Sequence, residues 1–187
     1  MGKTYEGIDD GLKAFIEKQH VFFVGSAPSG ADGHVNVSPK GLDSLRVLSA
    51  TQIAYLDFVG SGVETIAHLR DNSRICVMFC AFEGPPRIVR LHGRGVAVEP
   101  GNEHFDVLRA GFPPAPPGGV RSVIVVDVTR VSDSCGYGVP HLRFEGDRGQ
   151  LAAWAERKGP DGLEKYRHEK NARSIDGAPA LKSQPRT

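Results

Sequence analysis

YLDFVGSGVETIAHLRDNS, residues 55–73, joins a strand-like run to a helix-like run through a small polar turn. The first amides of a helix have no partner within the helix, and the helix dipole adds partial positive charge at that end. An anion such as a phosphate is therefore held well at a helix start. In this turn Gly62 lets a ligand approach the backbone, and Ser61 and Thr65 offer hydroxyls. The stretch predicts a phosphate-bearing ligand, and a plain turn with a helix cap is the alternative.

The preceding segment, residues 34–41, supplies further polar side chains. Asn36 and Ser38 alternate with valines, so one face of this strand is polar and the other is apolar. Lys40 could balance a bound anion, and an exposed turn lysine is the alternative. Asp57 ends the next strand, where it either caps the turn or lies near the ligand. The sequence contains neither a P-loop nor a Gly-x-Gly-x-x-Gly pattern after a strand.

The order of these segments resembles the pyridoxamine 5'-phosphate oxidase-like family of flavin-binding split β-barrels. The strand with Lys40 comes first, followed by the turn and helix, an apolar strand at 74–80 and the segment RIVRLHG at 87–93. The tail CGYGVP at 135–140, with SIDG at 174–177, resembles one uncharacterised branch of that family. The resemblance covers roughly residues 8–140 and rests on the ordered set of motifs.

The resemblance implies a mainly β fold, an FMN-binding split β-barrel with peripheral helices. It implies FMN as the cofactor, bound in grooves between the two subunits of a homodimer. By this resemblance Lys40 faces the pyrimidine end of the flavin ring, and Arg90 lies on the strand that passes beside the ring. The predicted cofactor-binding residues are Asn36, Ser38, Lys40, Asp57, Ser61, Gly62, Thr65 and Arg90. No catalytic residue and no metal ligand is predicted.

Two departures separate this chain from the oxidases proper. The residue after Arg87 is Ile88, where the oxidases carry a glutamine that contacts the flavin. The phosphate helix begins with the residues VET at 63–65, where the oxidases use a basic pair. These differences argue against pyridoxamine-phosphate oxidase activity itself, and they leave phosphate binding to backbone amides and hydroxyls.

The leading functional hypothesis is an FMN-dependent oxidoreductase that acts on an unknown small molecule. A deazaflavin-dependent reductase is the first alternative, since relatives of this barrel bind that longer cofactor, and a wider basic groove would favour it. The second alternative is a non-enzymatic protein that binds or senses flavin or haem. A bound cofactor that no nicotinamide reduces would favour this second alternative.

The composition limits which binding partners and which cellular compartment we expect. Net charge is +1, from 23 basic and 22 acidic residues among 187, so we expect neither nucleic acid nor a membrane as a partner. Cys76, Cys80 and Cys135 are too few for a disulfide framework and fit a reducing cytoplasm. Small buried hydrophobic roles are expected for Cys76 and Cys80.

Periodicity predicts six or seven strands with few helices. The strand at 120–131 carries the apolar run 123–126 and is expected to be buried on both faces. Helices are predicted at 150–158 and 162–171, and a short strand at 142–144. We divide the chain into a split-barrel flavin-binding domain, residues 1–140, and a helical C-terminal extension, residues 141–187, that packs on the barrel or on a partner subunit.

Overall fold

The protein is described by a computed structural model over residues 2–181. Within these residues the fold is an antiparallel sheet with helices around it, so the prediction of a mainly β fold with peripheral helices is confirmed. The strands are β1 Thr4–Tyr5, β2 Phe22–Ser26, β3 Asn36–Lys40, β4 Leu45–Ser49, β5 Gln52–Phe58, β6 Arg74–Cys80, β7 Ile88–Val98 and β8 Val120–Ser134. The helices are α1 Asp10–Glu17, α2 Glu64–Asn72, α3 Phe105–Arg109 and α4 Gln150–Lys170.

The sheet curls back on itself. Its two end strands, β3 and β4, are consecutive in sequence, and the short connection between them keeps the two ends of the sheet close together. The strand order is β3-β2-β6-β7-β8-β5-β4, with β1 paired to β8 beside this path. Residues 41–44 join β3 directly to β4, and the side chain of Lys40 at the end of β3 reaches Asp57 at the end of β5. The two ends of the sheet therefore meet on one side of the molecule, where β5 runs into α2.

The core fills the inside of this curled sheet. Alternate strand residues point inward, and those fully buried include Val24, Tyr55, Phe79, Leu91 and Ile124. Helices α1 and α2 pack their apolar faces on the same cluster. Burial of alternate strand residues fixes the pairing register, because a slip by one residue would turn the apolar set to solvent.

Strand β8 is the central element and runs three residues beyond the predicted end. Within this single chain its Val123, Ile124 and Val126 are fully buried and Val125 is half-buried, so the predicted burial of the apolar run holds for three of its four residues. Strand β1, only two residues long, was not predicted because so short a segment carries no periodic pattern. With β1 the strands number eight within residues 2–181 rather than six or seven.

Two other expectations need correction. Strand β3 begins at Asn36 rather than at residue 34, because its pairing with β2 starts only there, at Ser26. The predicted strand at 142–144 is wrong. That segment is exposed and makes isolated contacts, with the Leu142 amide donating to the Phe82 carbonyl at 3.1 Å and the Phe144 ring stacked on His20.

The C-terminal extension packs on the barrel. Helix α4 is broken at Gly159, where φ is 64° and ψ is 172°. The two predicted helices are therefore both present, one on each side of this break. Ala155 and Leu163 bury themselves against Val59, and Ala180 belongs to the main barrel core. Residues 182–187 of the predicted extension lie outside the described residues.

Three further properties bear on function. Among the helices between residues 2 and 181, none combines the length and the hydropathy that a bilayer crossing requires. The same residues contain no group of three or more His, Cys, Asp or Glu placed to hold a metal ion. Cys80 is buried, Cys76 is half-buried and Cys135 is exposed, all three as free thiols.

Candidate functional site

A cleft of about 320 Å³ opens between the end of β3, the turn after β5 and the start of α2. Four of the predicted cofactor-binding residues line it: Ser38, Lys40, Gly62 and Thr65. Arg121 from β8 and Leu151 from α4 also line it. Five separate elements of the chain thus meet at the place where the sheet closes on itself.

The floor of the cleft is a buried ionic cluster. The carboxylate of Asp57 is 2% exposed, and it accepts hydrogen bonds from Lys40 Nζ at 3.0 Å and from Arg121 Nε at 2.7 Å. Burial alone would raise the pKa of Asp57, but the Arg121 guanidinium and the Lys40 ammonium outweigh it and hold that pKa below its usual range. The two cations and the one carboxylate of this cluster sum to one net positive charge, and the carboxylate of Glu64, which also lines the cleft, offsets it.

A β-bulge places Arg121 in this cluster. Asp57 pairs with Ser122 across β5 and β8, but Phe58 pairs with Val120, so Arg121 is the extra residue of β8 at that step. Such bulges commonly re-aim a side chain. Arg121 also donates to the carbonyls of Gly60 at 3.3 Å and Gly62 at 2.5 Å. One guanidinium therefore fixes both the carboxylate and the shape of the turn before α2.

Sequence reasoning missed Arg121, although a signal for it exists. It stands in an otherwise apolar strand, and arginine is almost never fully buried without a partner. A charge in such a strand therefore calls for an opposite charge nearby, and Asp57 at the end of β5 supplies it. The pairing of β5 with β8 could not be read from the sequence, so the two charges could not be matched.

The polar face of β3 forms a hydrogen-bonded network behind the helix start. Asn36 Nδ2 donates to Thr65 Oγ1 at 3.1 Å, and Ser38 Oγ donates to Asn36 Oδ1 at 3.2 Å. The network continues to Ser26 Oγ, which lies 2.9 Å from His68 Nδ1. Burial lowers the pKa of His68 below its usual value. Because Thr65 Oγ1 is an acceptor in this network, its O–H remains available to donate into the cleft.

The structure brings most of the predicted residues together, with two exceptions. Asn36 and Asp57 lie directly behind the lining residues and hold them by hydrogen bonds. Ser61 is exposed on the turn and does not line the cleft. Arg90 lies on the outer face of β7, where its guanidinium donates to Ser134 Oγ at 3.1 Å, and it is not part of this cleft.

Glu64 is the one acid on the rim of the cleft, at the first position of α2. One of its carboxylate oxygens accepts from the Ile175 amide at 3.4 Å, and the other lies 2.7 Å from the position that a Cβ on Gly62 would take. An anion in the cleft is therefore attracted by the Lys40 side and by the first α2 amides, and repelled from the Glu64 side. The donor set fits a phosphate group on the Lys40 side.

The family of the chain follows from its sequence match over the barrel. The sequence model described as Pyridoxamine 5'-phosphate oxidase matches residues 8–135. The chain belongs to the pyridoxamine 5'-phosphate oxidase family. A curated relative, the pyridoxamine 5'-phosphate oxidase family protein ustO of Aspergillus flavus, is 41% identical over 196 residues. That alignment covers 96% of this family member and 78% of the relative, so the likeness includes the C-terminal extension.

Solved structures show the same fold. A tagged variant of HupZ from Group A Streptococcus is 20% identical with a TM-score of 0.52, over 68% of this chain and 99% of that one. A candidate pyridoxamine 5'-phosphate oxidase from Lactobacillus delbrueckii is 18% identical with a TM-score of 0.51, over 69% and 98%. At such identities the likeness concerns the fold alone. With the family match it confirms the predicted split β-barrel of the pyridoxamine 5'-phosphate oxidase family.

Proposed function

We propose that this protein is an FMN-dependent oxidoreductase that acts on a small molecule. The observation that carries the proposal is the buried cluster of Lys40, Asp57 and Arg121, which holds the positive charge of Lys40 at the wall of a cleft at the start of α2. A phosphate ester is stabilised both by that charge and by unpartnered helix amides. Family membership supports a flavin as the molecule that carries the phosphate.

The residues of the cleft have distinct roles in this proposal. Lys40, which is about one-fifth exposed, contacts the anion, while Arg121 stays on Asp57 and holds the turn. The Thr65 hydroxyl donates to a phosphate oxygen and is oriented by Asn36. Ser38 extends the polar surface along β3 toward the ring. When bound, the flavin supplies the redox chemistry, and the chain supplies binding, orientation and electrostatics.

A homodimer is part of the proposal. The apolar run of β8 finds its cover within one chain, so it gives no argument for a second subunit. The edge strand β3 and the residue before it support a second subunit instead. Val35 is 72% exposed and Val37 is 65% exposed on the face opposite the cleft. Exposed apolar side chains beside a free strand edge favour a partner surface.

A non-catalytic flavin-binding protein is the second candidate. The charged groups Lys40, Asp57 and Arg121 are mutually paired, so none of the three is free to serve as an acid or a base. This arrangement suits tight binding as well as it suits chemistry carried by the cofactor. A deazaflavin is less well supported, because Glu64 on the rim opposes the wide basic groove that its acidic tail needs.

The test begins with the cofactor that copurifies, identified by absorbance and mass. The apo-protein is then titrated with FMN, FAD, a deazaflavin and riboflavin, which lacks the phosphate. The proposal expects FMN to bind best and riboflavin to bind at least about tenfold more weakly, because the phosphate supplies charge-assisted hydrogen bonds. Equal affinity for riboflavin and FMN would contradict the proposed phosphate site. Reduction of the bound FMN by a nicotinamide then favours the oxidoreductase, and failure with every donor favours the non-catalytic candidate.

A further inference from the structure

The C-terminal extension reaches the cofactor cleft at three points. Leu151, in the first turn of α4, lines the cleft directly. Asn171, immediately after α4, donates its Nδ2 to the Gly60 carbonyl at 2.8 Å. The amide of Ile175 donates to the Glu64 carboxylate at 3.4 Å. These contacts join the last part of the chain to the turn and the helix start where the phosphate is proposed to bind.

Asn171 is held on both sides by the backbone around it. Its amide bonds the Arg167 carbonyl at 2.9 Å, and its own carbonyl accepts from Leu181 at 3.1 Å. The residue is 0% exposed, and its Oδ1 has no hydrogen-bond partner within residues 2–181. A buried acceptor without a partner is costly, so the side chain is not there for packing alone. Its Nδ2 shares the Gly60 carbonyl with Arg121.

The segment 171–181 is also anchored beyond Asn171. Asp176 accepts from the backbone amide of His34 at 2.9 Å and lies 2.6 Å from His34 Nδ1, just before β3. Ala180 is 1% exposed and packs in the barrel core. The segment therefore spans from the start of α2 to the start of β3, the two elements that bound the cleft, and is fixed to both.

We propose that Asn171 is a positioning residue for the cofactor phosphate. It acts through Gly60: with Arg121 it fixes the carbonyl of the turn, so the following amides at the start of α2 point into the cleft. The neighbouring Ile175 amide keeps the Glu64 carboxylate occupied, so that acid does not take the same helix amides. This inference rests on the proposed flavin function, and it gives the C-terminal extension a role in the site of its own chain.

The test compares FMN and riboflavin affinities in Asn171→Ala, with Asn102→Ala as the matched control. Asn102 is exposed, and its side chain accepts a hydrogen bond from a local amide, that of His104. Asn171→Ala should lose roughly tenfold in FMN affinity and leave riboflavin affinity unchanged, because one hydrogen bond to the phosphate turn is lost. The control should change neither. Equal losses for both ligands would show a merely structural role and overturn the proposal.

Gly62→Val separates failure of this inference from failure of the proposed function. If Gly62→Val abolishes FMN binding while Asn171→Ala leaves it unchanged, the phosphate site stands and the inference falls. If neither variant changes FMN affinity, the proposed site itself is wrong. Hydrogen exchange on the unaltered protein gives a second test that needs no variant to fold. FMN should slow exchange at 171–175 together with 60–66, and unchanged exchange at 171–175 would contradict the proposal.

Discussion

Replacing Asp57 with asparagine should destabilise the protein strongly. The substitution keeps the shape of the side chain but removes the only carboxylate within 4.0 Å of Lys40 and Arg121 among residues 2–181. Arg121 is 5% exposed and Lys40 about one-fifth, so water replaces the lost charge poorly. Breaking a buried pair in this way leaves uncompensated charge and costs about 3–5 kcal/mol. For a chain of this length that corresponds to a fall in Tm of about 6–20 °C.

The matched control is Asp43→Asn, which removes another aspartate from an arginine. Asp43 is bonded by Arg46 Nη1 at 2.7 Å and Nη2 at 3.0 Å, but its side chain is 67% exposed. Such a surface pair contributes at most about 1 kcal/mol. Denaturant unfolding at neutral pH measures both variants. A loss in Asp57→Asn no larger than in Asp43→Asn would refute the account of the cluster.

The same pair of proteins gives a pH test with a defined sign. The pKa of Asp57 is lowered in the folded protein, so its ionisation contributes stability that is fully present above the ordinary carboxyl range and is lost as pH falls through the folded-state pKa. The stability difference between wild type and Asp57→Asn should be constant from about pH 6 to 8 and should shrink below about pH 4. A difference that persists unchanged at low pH would mean that the charge of Asp57 is not what stabilises the fold.

Three other outcomes are expected. Lys40→Met should weaken FMN binding about tenfold, equivalent to about 1.4 kcal/mol, because the ammonium that faces the phosphate is lost while Arg121 still neutralises Asp57; unchanged FMN affinity in a titration would place Lys40 away from the phosphate. Gly62→Val should abolish measurable FMN binding in a titration yet change the Tm little, since the new Cβ meets only the flexible end of Glu64; unchanged affinity would contradict the site. Sedimentation should give a dimer at micromolar concentration, with more than about 2,000 Å² buried in total; a monomer would contradict the proposed assembly.

The local elements were predictable from the sequence because apolar periodicity and turn residues set them. Strand β5, the turn at 59–62 and helix α2 all stand where the pattern places them. Residues on contiguous segments therefore gave part of the cleft, including Lys40 and Thr65. The polar side chains that share one face of a strand or helix could be predicted, because residue type and spacing determine which side chains lie together.

Contacts between distant segments were not predictable. Arg121 enters the cleft only through a bulge in the pairing of β5 with β8, and nothing in a single sequence marks that register shift. Asn171 reaches Gly60 from 111 positions away. The sequence around Asp57 predicts a turn cap or a ligand neighbour, but the carboxylate pairs with two cations that come from two other strands, Lys40 of β3 and Arg121 of β8. The family resemblance predicts Arg90 at the site, whereas the alternation of β7 turns it to the outer face.

The separation of these partners along the chain sets a time order on the ribosome. Asp57 leaves the ribosome 64 positions before Arg121, and Gly60 leaves 111 positions before Asn171. At synthesis rates of about 5–20 residues per second, Asp57 waits roughly 3–13 s for the guanidinium that neutralises it. The turn that faces the cleft waits longer still for its last hydrogen bond. A nascent chain therefore has no finished site until Asn171 has left the ribosome, and cofactor capture belongs to the period after that point.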